Sequence, residues 1–134
     1  MKLTNALRSS IAQIIIDGVA NGTADSPIIE VYTGTIPASM GLSISDTRLA
    51  ELTMTNTVAT ENNGVITFDA ITDDSAADAS GTAGWARLLD RDGSEVIHVT
   101  VSEIDGTGEL QFASVSFQAG NPVSVSSAVL TVGG

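Results

Sequence analysis

The chain has 134 residues, no cysteine, and sixteen acidic against five basic residues, for a net charge of −11. The missing cysteine excludes disulfides and thiolate metal sites. The acidic balance excludes the basic footprint of a nucleic-acid binder and disfavours an anionic membrane surface. The length suits one domain, able to bury roughly two-thirds of its unfolded surface without a covalent staple.

The first element is a helix over residues 4–17. Thr4 or Asn5 can accept from the free N–H groups of the first turn, and Gly18 supplies a stop. Leu3, Leu7, Ile11, Ile14 and Ile15 fall at helical spacing and form one apolar stripe, widened by Ala12 and Ile16. Arg8 and Ser9 lie on the other side. This helix and the turn after it, residues 1–22, precede a β body expected over residues 23–134. Arg8, Ser9, Ser10 and Gln13 break the early apolar run, so it does not read as a secretory signal. No segment reaches the ~18 apolar residues of a membrane span.

Strands are predicted over 28–33, 49–55, 65–71, 83–89, 95–101, 110–117 and 123–132. Asn62-Asn63-Gly64 is a strong turn signal, and Asp90-Arg91-Asp92-Gly93 marks the clearest hairpin. Residues 35–46, with Pro37, Gly41 and several serines, read as an irregular loop. Strands separated by Gly, Asn, Asp and Pro clusters, with no alternation of helix and strand, predict an antiparallel β-sandwich or jelly roll with one N-terminal helix.

Chemistry is sparse. The one histidine, His98, sits in a strand and reads as a half-exposed sheet residue. One histidine without cysteine leaves few parts for nucleophilic catalysis or a zinc site. Asp73, Asp74 and Asp78 cluster in one loop, and Asp90 and Asp92 flank a turn, but neither stretch has calcium-loop spacing. Aspartate is also a common turn residue. Trp85 reads as core or interface rather than a sugar platform. No catalytic, cofactor-binding or metal residue is assigned, and an enzyme is not expected. The helix stripe Leu3, Leu7, Ile11, Ile14 and Ile15 is the candidate interface. Either it caps its own body, or it meets copies of itself or a host particle, or one side of the helix faces each way.

Several runs carry a resemblance. They are Lys2-Leu3-Thr4-Asn5-Ala6-Leu7-Arg8, then Tyr32-Thr33-Gly34-Thr35-Ile36-Pro37-Ala38, then Asp78-Ala79-Ser80-Gly81-Thr82-Ala83 before Trp85-Ala86-Arg87, then Asp90-Arg91-Asp92-Gly93. In this order, over nearly the whole chain, they resemble a family of small virion proteins of tailed bacteriophages. The resemblance implies a capsid cement or decoration protein, made in the host cytoplasm and resident in the virion. It implies a homo-oligomer, a trimer being favoured, bound to the major capsid protein or other virion proteins. It carries over no functional residues. The alternatives are a tail component (tube, terminator or baseplate-associated) and a module that binds host-surface carbohydrate through exposed aromatics or an acidic calcium loop.

Overall fold

A computed structural model describes residues 1–133; Gly134, the last residue of the expected body, lies outside the described residues. The chain is mainly β with one N-terminal helix, α1 (Asn5–Ala20). The strands are β1 (Ile28–Thr33), β2 (Arg48–Thr53), β3 (Ala59–Asn62), β4 (Val65–Phe68), β5 (Gly81–Leu89), β6 (Glu95–Glu103), β7 (Leu110–Phe112), β8 (Ser116–Phe117) and β9 (Ser127–Thr131).

The strands join in one curled, mixed sheet with the order β2-β1-β5-β6-β7-β9-β4-β3, and β8 adds to β5. All pairings are antiparallel except β6 with β7, where Val101 lies opposite Leu110. That parallel pair departs from the expected antiparallel scheme. It is made across only residues 104–109, far shorter than the usual crossover. The chain can double back so tightly because Gly108 lacks a side chain: a Cβ there would meet the Ser102 nitrogen at 2.5 Å. The expected strands over 110–117 and 123–132 are shorter pieces, and β3 was not anticipated. Asn63 (φ 49°) and Gly64 (φ 86°) take the left-handed conformations of the tight β3–β4 turn.

Alternation in the long strands sends one set of side chains inward. Ile29 and Val31 of β1, Ala50 and Leu52 of β2, Ala86 and Leu88 of β5 and Val99 of β6 meet Ile66, Leu110, Phe112 and Leu130 from the far half of the sheet. The edge of β2 is closed by the acidic loop. Thr53 and Thr72 exchange backbone bonds, the Asp78 N–H donates to the Leu49 carbonyl, and the Asp74 carboxylate accepts from the Glu51 N–H. Asp74 therefore occupies a backbone donor that would otherwise invite another strand.

The Thr4 hydroxyl caps α1 by accepting from the Leu7 N–H at 3.2 Å. The helix runs through Gly18 to Ala20 and ends at Asn21, three residues beyond the expected stop. The extra turn buries Val19, and burying a valine is worth roughly 1.5–3 kcal/mol, more than the roughly 1 kcal/mol a helical glycine costs. The inward face is Ala12, Ile16 and Val19, set against β3, β4 and β6.

Candidate functional site

The expected interface stripe does not lie flat on the body. Leu7 is 47% and Ile14 69% exposed, Leu3 and Ile11 are half-buried, and Ile15 turns partly inward against the core. The helix is instead seated on the side that carries Arg8. The Arg8 Nε donates to the Val132 carbonyl at 2.6 Å, and its side chain crosses the glycine backbone at Gly64 and Gly133. Small Ala12 lets this side come close. One side of the helix thus belongs to the core, while Leu7 and Ile14 face outward with half-buried Leu3 and Ile11 beside them.

Beside that row the sheet parts. The first half of β6 and the end of β9 are joined only through the three-residue β7, and Ile15 stands at the opening. A groove of about 410 Å³ lies there, lined by Ile15, Ile97, Glu109, Val129, Leu130 and Val132. Val129 is 37% exposed, so the groove carries exposed apolar surface of its own.

A second constellation lies on the outer face of β2, β1, β5 and β6. Two bulges bracket Tyr32: Leu49 is the extra residue of β2 and Gly84 that of β5. Trp85 shares the Tyr32 face as its direct cross-strand partner, and the Leu49 bulge brings Arg48 onto that face as well. Tyr32 and Trp85 stack with ring centres 4.8 Å apart, and His98 lies 4.9 Å from Trp85 at a tilt of 55°. Beside them Glu30 accepts from the Tyr32 hydroxyl at 2.9 Å, Arg87 Nε at 2.7 Å and Arg48 Nη1 at 2.9 Å. Arg48 continues to Asp78 and Glu51, and Glu95 bonds His98.

Burial by itself would raise the Glu30 pKa, but the bonds from Arg87, Tyr32 and Arg48 outweigh it and hold the carboxyl below its ordinary value. Burial, then the bond to that carboxylate, pushes the Tyr32 phenol up. Glu30 is therefore a clamped carboxylate that ties three strands together. Among the described residues no buried side-chain polar atom lacks a partner.

The roof over this face is residues 35–46 of the long connection between β1 and β2, hereafter the strap. It encloses a pocket of about 200 Å³ with Pro37, Leu42, Ile44 and Asp46 above and Trp85 and His98 below. Trp85 Nε1 donates to the Asp46 carboxylate at 2.9 Å and to the Thr33 carbonyl at 3.0 Å.

His98 is thus not the half-exposed sheet residue expected: its side chain is 7% exposed, closed in by Trp85, Glu95 and the strap. Tyr32 and Trp85 are buried, so in this closed form neither ring is open to a sugar. The Asp90 carboxylate accepts from the Ser94 and Asp92 N–H groups, and the first of these bonds does most to lower its pKa. Asp92 accepts from Thr23 and Ala24, which ties the β5–β6 turn to the segment after the helix. Asp74 and Asp78 serve β2, and Asp73 is exposed. Among the described residues no group of three or more His, Asp or Glu side chains is placed to hold a metal ion.

Sequence reasoning passed over the Glu30 cluster. The signal available was period two: Glu30 with Tyr32, Trp85 with Arg87, and His98 with Thr100 each put polar or aromatic groups on one strand face. Among the described residues no helix is long and apolar enough to cross a membrane. No family model, no curated protein and no solved structure matches the chain.

Proposed function

We propose that this chain is a structural protein of a tailed-bacteriophage virion, a cement or decoration protein that stabilises the head by bridging capsid subunits. The observation that supports this reading is the two-sided helix. Its inner side anchors in the core, and its outer side offers Leu7 and Ile14 to solvent with no charge among them. An exposed apolar row that a folded body holds rigid is a surface for partners.

On this reading the curled sheet is a sandwich-like or jelly-roll-like coat module. The outer helix row and the adjoining groove pack against copies of the chain about a symmetry axis, a trimer being favoured, or against the major capsid protein. A protein that binds only the assembled shell stabilises it by mass action, and many copies on a lattice add through avidity. The net charge of −11 keeps coated particles apart.

The test is the full-length double variant Leu7→Asp/Ile14→Asp beside the wild type. The wild type is expected to sediment with purified heads and raise their melting temperature. The variant is expected to keep its circular dichroism and lose head binding. Unchanged head binding by the variant refutes the helix as interface. Immunogold label on tails with bare heads, or glycan-array binding without head binding, overturns the head assignment itself.

A further inference from the structure

We propose that residues 35–46 form a hinged strap that opens as a unit and uncovers the Tyr32–Trp85–His98 row while the sheet beneath stays intact. The case begins with hydrogen bonds. No backbone N–H or C=O of residues 35–46 takes part in a backbone–backbone bond, and the single side-chain bond holding the segment is Asp46 to Trp85. A segment so thinly tied opens at lower free energy than the strands around it. Packing leads to the same conclusion. No side chain from Gly34 to Arg48 is buried, and Ile36, Met40 and Leu42 are 40%, 44% and 63% exposed. Beneath the strap is the 200 Å³ pocket rather than close-packed contact, so the strap's own side chains bury little, and the main cost of lifting it is the exposure of the aromatic row beneath.

The ends of the strap are pinned. Thr33 N–H donates to the Thr47 carbonyl at 3.0 Å, and Thr47 N–H donates to the Thr33 hydroxyl at 3.1 Å. Gly34, at φ 86°, lies just inside this clasp and can absorb the rotation. The floor does not depend on the roof. Trp85 keeps its second acceptor, the Thr33 carbonyl, and Glu30 keeps both arginines and Tyr32. The closed state therefore hides an ordered aromatic row, and any partner that touches Trp85 selects the open one.

Trp85 is the only tryptophan, so its emission reports on this row, and its indole proton, left with the Thr33 carbonyl as sole acceptor once Asp46 moves away, exchanges faster when the strap opens. In the full-length wild type, indole N–H exchange is expected at least about tenfold faster than that of the slowest amides of β1 and β5, and insensitive to low denaturant. Asp46→Ala is expected to speed it about five- to tenfold and Asp46→Asn less, with a matching rise in acrylamide quenching and unchanged exchange in β1 and β5. A wild-type indole proton with the same rate and denaturant slope as the core amides overturns the proposal. So does an Asp46→Ala variant whose indole exchange is unaltered. If Asp46→Ala does not fold, the wild-type measurement decides.

Discussion

Ile14 and Ile16 sit two residues apart on one helix, in opposite surroundings: Ile14 is 69% exposed and Ile16 is 5% exposed inside the core. Replacing each in turn by alanine tests the seating of α1 directly. At Ile16 three side-chain carbons leave a packed site, worth about 0.8 kcal/mol each, and the void left behind adds about 1 kcal/mol. The expected loss is about 3 kcal/mol, or roughly 10–15 °C in Tm for a chain of this size. At Ile14 little burial is lost and alanine is the better helix former, so the change is expected within about 0.5 kcal/mol. The assay is thermal unfolding followed by circular dichroism in dilute solution. A second series at rising concentration reads association. If the outer row is an interface, the wild-type Tm climbs with concentration and that of Ile14→Ala does not. Equal losses at the two positions in dilute solution, or a larger loss at Ile14, would refute the seating described.

Two further substitutions bear on the outer face of the sheet. Gly84→Ala puts a Cβ 1.7 Å from the Gly34 carbonyl oxygen, so the backbone at Gly34 has to shift; a loss of about 1–3 kcal/mol and an altered Trp85 emission are expected in denaturant titration. Glu30→Gln removes the charge that two guanidiniums share; because Arg87 and Arg48 remain partly solvated, the expected cost is about 2 kcal/mol at pH 7 rather than the full penalty of a buried pair. The Glu30 carboxyl titrates below its ordinary 4.5, so the unfolded chain takes up its proton first as pH falls. Its contribution is complete above pH 4.5 and lost as pH drops through the folded value. The stability gap between wild type and Glu30→Gln is therefore expected to hold at pH 6–7 and narrow below pH 4.5, read from urea midpoints; a gap that widens in acid would contradict the clamp.

The sequence alone determined the class of the molecule and its punctuation. A cap at Thr4 or Asn5, the Asn62-Asn63-Gly64 turn, the Asp90-to-Gly93 turn and the bounds of β1 were legible because caps and tight turns are local, set by one side chain or one positive φ. The alternation of Ala50, Leu52 and Met54 with Glu51 and Thr53 was legible too, and those three are buried. Short β3, β7 and β8 were not legible, since a strand of two to four residues has too few alternations to stand above a loop.

Which side of the helix is buried was decided only in three dimensions. Apolar residues cover most of α1, so periodicity allowed more than one seating. The one chosen depends on how closely Ala12 approaches the sheet and on the Val132 carbonyl waiting for Arg8. The Glu30 cluster is likewise a product of register. Glu30, Arg87 and His98 meet as direct cross-strand partners and Arg48 joins them through the Leu49 bulge of β2, and no local pattern encodes which distant strands will pair or where one will slip by a residue.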